Sequence, residues 1–412
     1  MQYPRRRHAA PVVVLAALLP VIAVAGCANE PDAKTITVLN SATDTLEHSQ
    51  QQKFFDLCAK PLGVKVVQTS VPAAQVSSKA LRMASSHSLT DILELDGSEL
   101  AQFADTGGLL PLKSAGVNVS GMSPGPVSLG TFKGEQYGIA RSVNSLGLIY
   151  NTDLLKRAGV KPPTTWDELK AAAKKLTRGK TYGMAFSATP DADGVYQFLP
   201  FFWSAGGDEA HLDNGKGVKA LQLWKDLVTS KSASSAAVTW NQQDVNDQFI
   251  AGRAAMMING PWQVPVLNEH KDLHWAVASI PVPEAGDTAV APIGGTVMTL
   301  PKTGHTDRQD TAAKILNCLN DQKNQLAWSA GINNIPTRTA AAAEYKEQNP
   351  KLTGFADQVA TARSRTARVG SQWPVISDAL SGAFQSVLAG GSSPQAALKQ
   401  AQSQATAGER GN

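Results

Sequence analysis

The sequence predicts an α/β fold of two lobes, with mostly parallel sheets flanked by helices, and three observations lead there. Strand-like and helix-like runs alternate along most of the chain, the chain is too long for a single core, and a polar segment from Arg141 to Ser145 separates two strand-like runs. The first runs are ITVLN, a helix to Cys58, VKVVQTS, a helix through Met83, DILEL and a helix through Ala104. YGMAFSA, a helix from Val218 to Val228, AAMMIN, HWAVASIPV and TVMTLPK continue the rhythm. Removing an N-terminal leader leaves roughly 385 residues, beyond the roughly 250–300 at which single cores stop growing.

The segment Lys133–Thr177 is the most densely patterned. Leu146, Leu148, Ile149 and Tyr150 form a short β-rich apolar run, as a buried strand does. Asn151 and Thr152 cap a short helix that stops at Gly159, and Pro162-Pro163 then forces an extended connection. Thr165 and Glu168 stand three apart as a capping box, opening a helix whose Leu169, Ala172, Ala173 and Leu176 share one face. Gly390-Gly391-Ser392-Ser393 breaks the last helical stretch, and Thr406 to Asn412 reads as a frayed end.

The N-terminus reads as a secretory leader: Arg5, Arg6 and Arg7, an apolar run from Pro11 to Val24, then Ala25-Gly26 before Cys27. VAGC has the form of a lipobox, so residues 1–26 are expected to be removed, Cys27 to carry a lipid, and residues 27–33 to act as a tether. The competing reading is an uncleaved membrane anchor, but about 14 apolar residues fall short of the roughly 20 that span a bilayer. The leader takes three of the 38 basic residues and none of the 34 acidic ones, so the rest of the chain is close to neutral and no nucleic-acid partner is expected.

Little here suggests catalysis. The seven histidines form no HExxH, His270 and His274 lack a carboxylate at metal-ligand spacing, and there is no GxSxG elbow, SxxK or phosphate loop. No cofactor and no metal is expected. What the loops carry instead is tryptophan and polar side chains, the mixture that sugars need: apolar ring faces stack on indoles while hydroxyls seek donors and acceptors. Trp203, Trp240, Trp262 and Trp373 all lie in such stretches, with ordinary core as the competing reading for each. Trp262 stands out because it follows Gly260-Pro261 directly after a buried strand, where open α/β sheets present ligand sites. Asp96 ends DILEL as a hydroxyl acceptor or a helix cap. Asp244 opens a helix. Arg365 and Arg368 lie in an irregular loop and can clamp hydroxyls or an anion. Gly294 and Gly295 allow close backbone approach or form a bulge.

The run YGIARSVNSLGLIYN, a helix, then PPTTWDEL closely resembles extracellular solute-binding proteins of the maltose-binding-protein class. DILELDGSELAQFADTGGLLPL, QDVNDQFIAGRAAMMINGPWQ, APIGGTVMTLPKTG and SQWPVISDALSGAF resemble further segments of that class in the same order, and only the loop NSATDTLEH departs from its pattern. The resemblance implies a two-lobed periplasmic-binding-protein fold of type II. Lobe 1 would comprise residues 34–141 and 290–340, and lobe 2 residues 142–289 and 341–412, with hinge crossings near Arg141 and Pro283–Pro292. It places the helices of Cys58 and Cys318 on one lobe, leaving a disulfide or two buried thiols open. It also implies a monomeric lipoprotein of an ATP-driven importer. That protein would capture a di- or oligosaccharide between the lobes and deliver it to a membrane permease without catalysing a reaction. Asp44, Gln75, Asp96, Asn144, Trp203, Asp244, Trp262, Gly294, Gly295, Arg365, Arg368 and Trp373 make up the expected substrate-binding set. Two alternatives stand beside this reading: a glycerophosphodiester or amino-sugar binder of the same fold, using Arg365 or Arg368, and an exported carbohydrate-active enzyme whose two carboxylates would be Asp96 and Asp244.

Overall fold

A computed structural model describes residues 34–43 and 45–409. The leader, Cys27 and Asp44 lie outside the described residues. Two separate sheets carry the chain. The five-stranded sheet has the order Lys65–Ser70, Thr35–Asn40, Ile92–Asp96, Thr296–Thr299, Gly138–Ile139; the four-stranded sheet has the order Trp275–Ala278, Gly147–Asn151, Ala254–Asn259, Tyr182–Ala185.

Both sheets are mixed rather than mostly parallel. Thr35–Asn40 pairs in parallel with both its neighbours, and Ala254–Asn259 pairs in parallel with Tyr182–Ala185. Thr296–Thr299 runs antiparallel to Ile92–Asp96 and to Gly138–Ile139, and Gly147–Asn151 is antiparallel to both its neighbours. The reason is the chain path: Thr296–Thr299 and Gly147–Asn151 each enter a sheet straight from a crossing, not through a βαβ connection, and βαβ connections are what make neighbouring strands parallel.

The crossing is a narrow ladder of extended backbone. Asn144 and Gly294 exchange N–H···O=C bonds of 2.9 Å in both directions, and Arg363 does the same with the other side of this segment, through Ala291 and Ile293. The Ser142–Val143 strand also pairs with Ile335–Pro336. Three stretches of chain therefore run side by side between the sheets, around residues 142–144, 291–295 and 363.

Local structure follows its signals. The Asn151 side chain accepts from the N–H groups of Asp153 and Leu154, and the helix Thr152–Ala158 ends at Gly159 in the left-handed region. Thr165 and Glu168 form the reciprocal capping box, and Leu169, Ala172, Ala173 and Leu176 of Trp166–Leu176 are buried. Helices Trp373–Leu388 and Pro394–Glu409 pack together across the Gly390 break, and the second stays helical past Thr406 instead of fraying there.

The apolar core has three parts. One surrounds Trp224 with Phe186, Phe198, Phe201 and Phe384 beside the four-stranded sheet. Another joins Ile36, Val38, Phe55, Ile139, Met298 and Leu316 around the five-stranded sheet. The third runs from Leu93 and Val297 through the crossing residues Val143 and Ile293 to Ile149 and Met257. Cys58 and Cys318 form a disulfide with Cα atoms 5.6 Å apart, tying Thr45–Ala59 to Thr306–Leu319. Nearby, buried Asp91 accepts from Arg308 Nε (2.9 Å), from the Thr37 N–H (2.7 Å) and from the Thr37 hydroxyl (2.8 Å). No helix among the described residues is long and apolar enough to cross a membrane.

Candidate ligand-binding site

Asp96 stands at the end of its strand, opposite Thr296. Its Oδ1 accepts from the Ser98 N–H (2.8 Å) and hydroxyl (2.5 Å), the short-range turn expected of an aspartate ahead of a helix, here Leu100–Asp105. The same oxygen meets the Arg365 guanidinium at 3.3 Å. Arg365 arrives from the loop that follows Arg363 at the crossing, and its guanidinium lies over the Tyr196 ring, 5.3 Å from the centroid.

Tyr196 links this pair to the crossing. It lies in the helix Ala192–Ser204, which Asp191 caps, and its hydroxyl donates to Asn144 Oδ1 (3.3 Å) and to the Pro292 carbonyl (3.2 Å). Burial, with Asp96 and Asp193 adding to it, holds the phenol well above its usual range, so it stays a donor. A Cβ on Gly294 would stand 2.4 Å from Asn144 Oδ1 and 2.6 Å from the Tyr196 hydroxyl, so glycine is required for that contact. Gly295, at φ +131, turns the chain into Thr296.

Trp262 completes the group. The fully buried strand Ala254–Asn259 delivers it through Gly260, over which its ring folds so closely that a Cβ there would lie 2.1 Å from the indole. The half-buried indole and the Tyr196 ring have centroids 6.4 Å apart. Two further acids sense Arg365. Burial raises the Glu99 carboxyl, with Asp96 adding and Ser77 and Arg365 opposing; burial and Asp191 raise Asp193, against Arg365. Beside Asn144 and Gly295 lies a cavity of about 150 Å³ whose lining includes Glu47, Glu94, Arg141 and Trp328.

Six expected residues therefore converge: Asp96, Asn144, Trp262, Gly294, Gly295 and Arg365. Asp44 lies outside the described residues, and the other five take no part in these contacts. Trp203 is buried, donates from Nε1 to Glu209 (2.9 Å) and carries Arg363 on its face at 4.1 Å. With Arg368, which pairs with Asp208 at 3.2 Å, Trp203 lines a different depression of about 570 Å³. Asp244 spends its carboxylate on the Asn241 N–H in a capping box. Trp373 is buried in the core at the start of its helix, and Gln75 is exposed in the first turn of Ala73–Ser85. Tyr196, Glu99, Asp193, Glu47, Glu94 and Arg141 join the site without having been singled out as contacts. Two of them carried a signal: Glu94 and Arg141 are charges set in or beside apolar strand runs, where a charge needs a purpose.

Residues 53–354 match the family described as bacterial extracellular solute-binding protein. The chain belongs to this family. It is 28% identical over 285 residues to a binding protein of Brucella abortus, covering 66% of this chain and 68% of that one. It is also 28% identical over 244 residues to the maltodextrin-binding protein MdxE of Bacillus subtilis, covering 54% and 55%. Among solved structures it resembles the cyclic alpha-maltosyl-1,6-maltose binding protein of Arthrobacter globiformis, with a TM-score of 0.79 and 24% identity over 90% of this chain and 98% of that one. The likeness is one of fold: the two-lobed α/β architecture of solute-binding proteins, here carrying two separate sheets.

Proposed function

We propose that this binding protein captures a di- or oligosaccharide between its lobes and presents it to the permease of an ATP-driven importer. The observation that carries the reading is the convergence of Asp96, from the five-stranded sheet, with Arg365, Tyr196, Asn144 and Trp262, which come from the crossing and from the four-stranded sheet's side. These groups supply two aromatic rings for sugar faces, and carboxylate, amide, phenol and guanidinium for hydroxyls. Relatives that bind maltodextrin and cyclic maltosyl-maltose support a saccharide ligand.

In this reading lobe 1 comprises residues 34–141 and 290–340 and lobe 2 the remainder from residue 142, an arrangement in which all five strands of one sheet and all four of the other fall on their own side. Ligand favours the closed arrangement by its differential affinity for closed over open. Cys27 carries the lipid that holds the protein at the outer face of the membrane, the protein works as a monomer, and it performs no reaction. Of the two carboxylates a glycosidase would use, Asp244 is engaged as a helix cap.

A thermal-shift screen of oligosaccharides, followed by calorimetry, tests the function. A specific ligand at a hundredfold excess over Kd stabilises by about 2.7 kcal/mol through mass action. Stabilisation by glycerophosphodiesters and by no saccharide would overturn the reading.

A further inference from the structure

Arg141 is buried, only 5% exposed, and its Nη1 has no hydrogen-bond partner. A guanidinium nitrogen left unmatched away from water is costly, and native structures seldom keep one without a use. The side chain is also firmly held. It lies on the face of Trp328, 3.9 Å from the centroid, and Trp328 is fixed in turn by its Nε1 bond to the Ser142 hydroxyl (3.1 Å) and by edge contact with Phe54. Burial lowers the guanidinium to about 10, against the pull of Glu94 and Glu47.

Arg141 and Trp328 line the 150 Å³ cavity together with Glu47, Glu94, Thr296 and Asn334. Glu94 is pinned at both oxygens, one accepting from Gln51 Nε2 (2.6 Å) and the other from the Thr296 hydroxyl (2.5 Å), and each oxygen keeps a second lone pair. Two features of the cavity limit what enters it. An engineered apolar cavity of about 150 Å³ accepts one benzene ring, and a sugar unit with its hydroxyls is larger than benzene, so no more than one sugar unit can enter this one. One guanidinium faces two carboxylates, so the lining is net negative and disfavours an anionic group.

We propose that this cavity is an end-reading subsite, in which Arg141 donates to a hydroxyl of one terminal, uncharged sugar ring while Glu94 and Glu47 accept from its neighbouring hydroxyls. The inference rests on the saccharide reading above and narrows it: the ligand is an open-ended chain with a free neutral end unit, neither a cyclic oligosaccharide nor a chain ending in a uronic acid.

The test is calorimetry with linear malto-, cello- and xylo-oligosaccharides, with α-cyclodextrin, and with the best linear probe oxidised to a uronic acid at its end unit. Arg141→Met, which keeps an unbranched apolar stem and removes the guanidinium, and Arg141→Lys, which keeps the charge and loses the planar fork, are each expected to weaken the best linear probe at least tenfold. Asn334→Phe, which adds bulk to the cavity wall and leaves Arg141 itself in the chain, is expected to do the same and serves should the Arg141 variants not fold. Cyclodextrin and the uronate are expected to bind at least tenfold more weakly than the linear probe. The inference is overturned by unchanged affinity in the folded variants, or by cyclic or uronate probes matching the linear one. If a saccharide binds in a Trp262-dependent manner but ignores Arg141 and Asn334, only this inference fails; if no saccharide binds at all, the saccharide reading fails with it.

Discussion

Trp262 and Glu99 show what single residues in the site contribute. Trp262 is half-buried and packs on Tyr196 at the cleft, so Trp262→Ala removes a stacking surface while leaving most of the core in place. Ligand affinity by calorimetry is expected to fall by about 2 kcal/mol or more, with a small change in the melting temperature of the free protein. A large drop in melting temperature with affinity unchanged would mark it as core instead. Glu99 is a carboxyl whose ionised form the fold disfavours, chiefly through burial. Because its folded value is raised, the fold is penalised when the group is ionised, and that penalty is complete above the folded value and gone below the unfolded one. Glu99→Gln is therefore expected to raise the melting temperature at neutral pH. The gain should shrink as pH falls through the raised value toward 4.5 and disappear below it. A gain that persists under acid would place its cause outside the titration.

The site residues were unequally legible in the sequence for a physical reason. Asp96, Trp262 and the Gly294-Gly295 pair sit at strand ends or beside turn-forming glycines, and strand ends are where a ligand meets an α/β sheet. Tyr196 looks like one more core aromatic of a strongly apolar helix; only its hydroxyl bond to Asn144, 52 residues away in the chain, reveals its role. Trp203 shows the reverse, a loop-like context that folds into a buried indole bonded to Glu209.

At the level of elements, two ties stabilise the five-stranded sheet and its helices. The disulfide joins residues separated by 260 positions, a long loop to close in the unfolded chain. In the chain-entropy account its removal costs up to about 5 kcal/mol, so Cys58→Ser with Cys318→Ser is expected to unfold well before the wild type in a thermal melt. An unchanged melting temperature would show that the tie adds nothing. Asp91 is buried and holds Arg308 and Thr37 at once, so Asp91→Asn takes the negative charge out of a buried ion pair; about 3–5 kcal/mol is expected, read as a shifted midpoint in urea. Local elements were the most readable part of the chain, because caps and turn residues act over a few positions: Thr165 with Glu168, and Asn151 with Gly159, behave as their chemistry dictates. Strand direction was less readable, since apolar runs look alike whether a strand comes from a βαβ unit or from a crossing, and the antiparallel members of both sheets are the crossing strands.

For the whole molecule, the question is whether the lobes close on a saccharide. With the proposed lobe bounds the Asp96–Arg365 pair joins one lobe to the other, but a single partly exposed ion pair is worth about 0–1 kcal/mol and does not by itself hold two lobes together. In the proposed mechanism closure depends on a ligand that touches both sides, with the three-stranded crossing at Asn144, Gly294 and Arg363 as its pivot. Small-angle X-ray scattering, with and without the best-binding oligosaccharide at saturation, tests this most directly. The radius of gyration is expected to fall when ligand is added to wild-type protein and to stay unchanged in Asp96→Ala at a ligand concentration that still saturates it. A wild-type protein that binds the sugar with no change in scattering would contradict capture by closure.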